Sequence, residues 1–229
     1  AALSIISAAT TANLLIRGLR WHFILRTIGV RLRARESALL FTSLLPAILT
    51  PWALGELLLA FFLRHHAARP LRTAGLAWLA ARGTDLLALA LLAVLAPRGW
   101  LPQTIVGFLA ATGLMAAVER RGAKSSFAFR ILLTVGCALI AWTCAGMGLA
   151  GVALALQSDL PVRAAVALFA EGTLHGGIPG APAGIAITGA TLIRGLVEQG
   201  IPESQAIWTV AFVRGGTVGF ALSAGIVAI

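Results

Sequence analysis

Long apolar runs separated by short clusters of arginine dominate the pattern of hydrophobic and polar positions along the chain. Apolar stretches near 1–19, 73–96, 103–118, 131–157 and 204–229 approach or exceed the roughly 20 residues that a membrane-spanning helix needs. The first is short, so either residues upstream of Ala1 complete it, or it continues past Arg17 and Arg20, whose long stems can snorkel. The pattern predicts an all-α integral membrane protein.

Two further apolar stretches, 37–63 and 164–196, contain too much proline and glycine for continuous helices. The residues expected to form their turns are Pro46, Pro51 and Gly55 in the first stretch and Pro179, Gly180, Pro182 and Gly184 in the second. Both flanks of the first stretch are rich in arginine, which favours the cytoplasmic side. We therefore predict a re-entrant hairpin that opens to the cytoplasm. The alternative is a proline-kinked transmembrane helix with Glu56 near the membrane interface. The weakly charged flanks of the second stretch predict a second hairpin that enters from the opposite side.

Composition supports a single membrane domain over 1–229. Among the 229 residues, 59% are hydrophobic and 11% are charged, against about 25% charged in soluble domains. The net charge of +10 lies between the apolar runs, so it indicates cytoplasmic loops and contact with anionic lipid rather than nucleic-acid binding. The sequence predicts a multi-pass protein of a bacterial or archaeal cytoplasmic membrane. It contains no metal-ligand spacing and no nucleophile–base pattern, so we expect no metal, no cofactor and no enzymatic activity.

The two halves of the chain correspond at a constant offset of 132 positions. The matching residues are Pro70, Ala74, Arg82 and Gly83 in the first half and Pro202, Ala206, Arg214 and Gly215 in the second. We predict an inverted repeat of transmembrane helices with the two hairpins: repeat 1 at about 1–96, a linking helix at about 103–118 and repeat 2 at about 128–229. Inverted repeats with broken helices are typical of transporters, with the site near the middle of the membrane.

Charged and polar residues at membrane depth are candidates for binding a substrate. Arg82 and Asp85 lie three apart near the middle of their helix and form either a self-neutralising pair or a binding group. Arg214 occupies the corresponding depth in the second repeat, so an anion between two central arginines would relieve their repulsion. The remaining candidates are Arg20 (a cytoplasmic flank or a headgroup ligand), Glu56 and Arg64 of the first hairpin region, and His175 (a polar core residue or a substrate ligand).

Several of these residues resemble the signatures of a known family. The order Leu19-Arg20-Trp21, then Pro46, Gly55-Glu56, Arg64 and Ala81-Arg82-Gly83-Thr84-Asp85 is similar to the transmembrane, flippase-like region of lysylphosphatidylglycerol synthases. The run from Pro179 to Gly184, followed by Pro202 and Arg214, resembles that family's second signature. The chain departs from the pattern at Ala186 and Ile187, where the family usually has arginine and glutamate. The resemblance implies movement of phospholipids between leaflets, without the soluble lysyl-transferring domain of some relatives.

Three functions are compatible with these features. The first is a lipid flippase or exporter that moves a lipid with a polar, anionic headgroup, with membrane phospholipid as its partner. The second is a non-transporting scaffold that holds a lipid-modifying enzyme, and the third is a small-solute or ion transporter. The small residues between Gly136 and Gly151 suit close packing, either within the chain or in a homo-oligomer.

Overall fold

The computed structural model describes residues 1–50, position 58, 71–97, 127–177 and 185–228. Within these ranges the regular structure is helical, without strands. The α-helices are α1 (Ala2–Thr27), α2 (Ala34–Ser43), α3 (Leu71–Leu95), α4 (Phe127–Ala155), α5 (Val162–Gly177), α6 (Ile185–Glu198) and α7 (Glu203–Val227), and a 3₁₀ turn (Leu45–Leu49) follows α2. The linking helix expected at 103–118 lies outside the described residues. So do Pro51, Gly55, Glu56 and Arg64, and Pro179, Gly180, Pro182 and Gly184.

Four helices in the described part of the chain are long and apolar enough to cross a membrane. The spans are Ala2–Thr27, Arg72–Leu95, Phe129–Ala155 and Glu203–Val227, which belong to α1, α3, α4 and α7. Many large apolar side chains on them are exposed, including Leu15 on α1, Leu79 on α3 and Trp208 on α7. Exposed apolar belts of this kind suit contact with lipid. The all-helical prediction is confirmed for the described part of the chain, and the four candidate spans agree with the prediction of a membrane protein.

Helix α4 is the centre of the assembly. Half of its apolar window is buried, against 17–22% in the other three spanning helices. It runs antiparallel to α1, because Asn13 Nδ2 donates to Ala141 O at 2.7 Å, while Gly148 faces Ala9 and Gly151 faces Ile5. A Cβ on Gly148 would lie 2.9 Å from Ala9 Cβ, so only glycine permits this approach.

Helix α1 continues through the first arginines instead of ending before them. It stops at Gly29, whose φ of +82° is readily adopted by glycine, and the Val30 N–H donates back to Leu25 O. Helix α2 then returns along α1 as far as Gly18, which faces Phe41. It ends at Ser43, just before Pro46 within the 3₁₀ turn, as expected because proline lacks the N–H that a continuing helix needs.

Helices α3 and α7 both pack against the central pair, and each of them contacts α1 as well as α4. Both contain 25 residues. The approach of Arg82 on α3 to Arg214 on α7 around a bound anion stays a prediction.

The second half of the molecule holds the largest apolar core. Side chains from α1, α4, α5, α6 and α7 meet there, with Leu149, Val152 and Leu192 fully buried. Helix α6 ends at Gly200, which has a φ of +85°, so that the chain turns into α7. This region is tightly packed and apolar, which contrasts with the polar region between α1 and α3.

Candidate functional site

A buried carboxylate, Asp85, organises the polar region between α1, α3 and α4. Its residue is 3% exposed, and it lies about 21 Å along α3 from Leu71, near the middle of the helix. Arg20 of α1 places Nη1 2.7 Å from Asp85 Oδ1, and Arg17 places Nη2 3.8 Å from Oδ2. The carboxylate therefore pairs with two cations from another helix, and the three charges together leave a net charge of +1.

Arg20 is an unusual residue for a membrane helix because it is 3% exposed. Besides the ion pair, its Nη1 lies 3.3 Å from Thr84 Oγ1. Removing an arginine from water is costly unless a counterion and hydrogen bonds compensate, and charges at this depth usually serve a function. The structure thus places Arg20 inside the helix bundle, and the interpretation of this residue as an ordinary cytoplasmic flank is wrong.

Trp142, at the centre of α4, completes the cluster. Its indole Nε1 donates to Asp85 Oδ1 at 2.8 Å. The guanidinium carbon of Arg17 lies 5.2 Å from the centroid of the same indole, within the range of a cation–π interaction. One tryptophan therefore orients the carboxylate and also stabilises the second arginine.

A pocket opens beside this cluster between α1, α2, the 3₁₀ turn and α3. Its polar lining consists of Arg17, Arg20, Arg82, Asp85, Trp21 and Trp78, and the rest of its described lining is apolar. The cavity volume is about 50 Å³. A buried water needs roughly 10–15 Å³ on a comparable measure, so the cavity holds a few waters or one small polar group. Sites for whole small-molecule ligands are larger, typically about 300–1,000 Å³.

The electrostatic character of the pocket is positive. Three arginines and a single carboxylate are present among its described lining residues, which gives a net charge of +2. Three buried donor atoms, Arg20 Nε, Trp21 Nε1 and Trp78 Nε1, have no hydrogen-bond partner in the part of the chain that the structure describes. Asp85 Oδ2 also accepts no hydrogen bond there, but it lies 3.8 Å from Arg17 Nη2. Arginine and indole N–H groups can only donate, so the pocket is suited to a ligand that accepts hydrogen bonds and carries negative charge.

The pocket extends from mid-depth toward one end of the bundle. Trp78 lies about 10 Å along α3 from Leu71, while Asp85 lies about 21 Å along it. At the same end, where α1 finishes and α3 and α4 begin, the exposed arginines are Arg26, Arg31, Arg33, Arg35, Arg72 and Arg130. The opposite end carries Asp159, Arg163, Arg194, Glu198 and Glu203, with charges of both signs. The pocket is therefore on the basic side of the molecule.

The structure brings together three of the candidate residues from the sequence: Arg20, Arg82 and Asp85 all line the pocket. Asp85 forms ion pairs with the α1 arginines Arg20 and Arg17, and the charge of Arg82 on its own helix acts on it as well. Arg214 is half-buried on α7 and does not line this pocket. His175 is exposed in the last turn of α5, away from the buried core position that was one of its two interpretations. Glu56 and Arg64 lie outside the described residues.

Four pocket or cluster residues were not among the sequence candidates: Arg17, Trp21, Trp78 and Trp142. Arg17 lies three residues before Arg20 and hence on the same face of α1. The alternative in which the first span continues past both arginines therefore already placed them side by side. Trp142 stands in the middle of an apolar helix, far from the membrane interfaces where tryptophan is usually enriched. An indole N–H at that depth needs a hydrogen-bond acceptor, so the position of Trp142 in the sequence could have identified it as a partner of a buried polar group.

The fold and the site define a helical membrane protein with a cationic pocket that reaches mid-depth. In comparisons with family models, curated proteins and solved structures, no match to this chain was found.

Proposed function

We propose that the protein is a lipid flippase or exporter that moves a lipid with an anionic headgroup between the leaflets of the cytoplasmic membrane. The observation that carries this proposal is the pocket itself, where three arginines face one carboxylate near the middle of a membrane helix. Charges at this depth are costly and tend to mark a transport pathway. A protein that only anchored an enzyme would have no need of such a site.

The position of the pocket supports a lipid rather than a fully water-soluble substrate. Its outer part, at Trp78, lies within about 10 Å of the end of α3, where headgroups begin. Next to the pocket residues of α1, Leu19 is 54% exposed and Phe23 is 36% exposed, so acyl chains can lie against apolar surface. A headgroup can thus occupy the pocket while the tails stay in the bilayer.

An inverted repeat is part of the proposal, and helix bounds support it. Helix α3 begins and ends 132 positions before α7, the same offset that relates Arg82 to Arg214. Helix α1 corresponds at that offset to α4, and these two run antiparallel, as equivalent helices of inverted repeats do.

Reciprocal packing gives the repeat further support. Helix α7 of the second half packs on α1, and its counterpart α3 packs on α4. Likewise, α3 packs on α5, while α7 packs on α2, the counterpart of α5. The return of α2 along α1 before the break at Pro46 agrees with the proposed first hairpin. Glu56 and Arg64 of that hairpin region stay predicted ligands of the substrate.

The proposal is tested by lipid scrambling in reconstituted vesicles. Fluorescent anionic and zwitterionic phospholipids are compared for the wild type and for Arg20→Met/Asp85→Leu, which removes a cation and an anion together. We expect transport that favours the anionic lipid and is lost in the variant, with the variant still monodisperse and helical. A wild type that scrambles no lipid above the level of protein-free vesicles would overturn the proposal.

A further inference from the structure

The pocket contains a set of unused donors that the ion-pair cluster does not explain. Asp85 satisfies Arg20 through Nη1 and Trp142 through Nε1. It does not satisfy Arg20 Nε, nor the indole N–H groups of Trp21 and Trp78. All three atoms are shielded from solvent, and all belong to side chains that line the pocket. Trp21 is 8% exposed and Arg20 is 3% exposed, so neither side chain can turn to water.

Buried donors left without partners are costly, at a penalty of about 1–3 kcal/mol each in folded proteins. Three such donors around one cavity therefore indicate that an acceptor, water or a ligand atom that displaces it, completes the site. Neither indole nor guanidinium N–H can accept a hydrogen bond, so a cation, an ammonium headgroup for example, does not satisfy them. The ligand atom that enters must be an acceptor, and the positive surroundings select an anionic one.

We propose that Trp21, Trp78 and Arg20 form an oxyanion site that binds a phosphate group, with the two indole N–H groups as direct ligands. Phosphate suits the site better than a carboxylate, because its oxygens point in several directions while the donors come from two helices. A guanidinium also matches two phosphate oxygens at once. The cavity of about 50 Å³ admits a group of this size but not a whole headgroup such as a sugar.

This inference deepens the proposed function. It rests on that function only for the identity of the molecule that carries the phosphate. The phosphate belongs either to a phospholipid or to free inorganic phosphate, and both supply the same oxygens. Trp78 lies close enough to the end of α3 for a lipid phosphate to reach it with its tails still in the bilayer. Asp85 lies deeper and holds the α1 arginines in place beneath the site.

The test is calorimetric titration of the full chain in detergent with three probes. These are dihexanoyl phosphatidate, inorganic phosphate and dihexanoylglycerol, which has the same tails without the phosphate. We expect phosphatidate to bind and dihexanoylglycerol to bind at least tenfold more weakly. Binding of inorganic phosphate as tight as that of phosphatidate would support the oxyanion site and assign it to free phosphate.

The decisive variants are Trp21→Phe and Trp78→Phe, which keep an aromatic ring and remove only the N–H. Each should weaken phosphatidate binding about tenfold, because a hydrogen bond to a charged group is worth about that much. Trp208→Phe is the matched control, because Trp208 is 62% exposed on α7. This variant should bind phosphatidate with the affinity of the wild type. Wild-type affinity in both pocket variants, or no binding of any phosphate probe, would overturn the proposal.

The two proposals fail separately. If lipid scrambling depends on Arg20 and Asp85 while both tryptophan variants bind and transport like the wild type, the flippase function stands and the indole ligands do not. If phosphatidate binds with the predicted tryptophan dependence but no lipid is moved, the oxyanion site stands and the transport function does not.

Discussion

Residues of opposite character lie at positions 132 apart in the two halves of the chain. In the first half, Arg17 and Arg20 lie beside a carboxylate and a pocket. At the offset of 132, their counterparts in α4 are Leu149 and Val152, both fully buried in the largest apolar core. The scaffold is similar at both places, since α1 and α4 are both spanning helices that a second spanning helix flanks. One region is thus organised around charge and the other around packing.

This difference indicates that one region stabilises the fold and the other serves function. Apolar packing between α4, α5, α6 and α7 gives a stable framework, and the region between α1 and α3 retains costly polar groups that stability alone does not need. A buried ion pair is weak evidence for stability, because well-packed apolar residues often replace it without loss. The predictions below separate the two roles and run from the largest expected effect on stability to the smallest.

Removal of the Asp85 carboxylate should have the largest effect. Asp85→Ala leaves Arg20 buried without its closest counterion, which typically costs about 3–5 kcal/mol. We expect a strongly lowered unfolding midpoint in detergent. The matched control is Arg194→Ala, which breaks an ion pair of similar length, 2.8 Å against 2.7 Å, on an exposed surface. Such exposed pairs contribute little, so no measurable change is expected there. Equal effects of the two variants would contradict the buried role of Asp85.

Truncation of the apolar core should destabilise the protein without touching the pocket. Leu149→Ala creates a cavity among fully buried side chains, and changes of this type cost about 2–5 kcal/mol. Leu154→Ala on the same helix is the control, because Leu154 is 72% exposed and should tolerate the change. Phosphatidate affinity of the folded Leu149→Ala protein should equal that of the wild type. A specific loss of affinity would show that the two regions are not separate.

Trp142→Phe should have a moderate effect on both stability and phosphatidate affinity. The change removes the hydrogen bond to Asp85 and weakens the cation–π contact with Arg17, but it keeps an aromatic ring in the middle of α4. We expect a loss of about 1–2 kcal/mol in the free energy of unfolding, measured by denaturation in mixed micelles. Phe169, whose ring centroid lies 6.3 Å from that of Trp142, provides the comparison. Phe169→Leu should lower stability without changing phosphatidate affinity, and a changed affinity would speak against the specific role of the indole.

The double change Arg20→Met/Asp85→Leu should have the smallest effect on stability. It replaces the closest buried cation and anion together with apolar groups of similar size, which is often neutral or stabilising by about 1–4 kcal/mol. Arg17 loses its contact with Asp85, but its side chain is 15% exposed and keeps the cation–π contact with Trp142. Unfolding should occur at or above the wild-type midpoint, in contrast to Asp85→Ala. Destabilisation as large as that of Asp85→Ala would show that the charged cluster serves structure rather than binding.

The helices of this fold were largely predictable from the sequence, because length and hydropathy determine what crosses a membrane. The stretch expected at 73–96 forms α3 at Leu71–Leu95, and the one expected at 204–229 forms α7 at Glu203–Val227. The first helix was harder to delimit, since Arg17 and Arg20 look like the end of a span by composition alone. They continue the helix because Asp85 on α3 pairs with both of them.

The site was only partly predictable, for a physical reason. Helical spacing shows which side chains share a face, so Arg82 and Asp85 were rightly placed together in the pocket region. It does not show which distant helix approaches that face. The carboxylate's partners Arg20 and Trp142 lie on α1 and α4, on opposite sides of it in sequence, and only the packing of α1 antiparallel to α4 brings them together.

The most direct test compares two arginines that lie 132 positions apart and that the proposed inverted repeat makes equivalent. Arg82 on α3 lines the pocket, whereas its counterpart Arg214 on α7 does not. Transport of a fluorescent anionic phospholipid should be measured in reconstituted vesicles for Arg82→Gln and Arg214→Gln, with the amount of folded protein matched. We expect a large loss of transport for Arg82→Gln and a much smaller one for Arg214→Gln. Equal losses, or a larger loss for Arg214→Gln, would contradict a transport site confined to the first half.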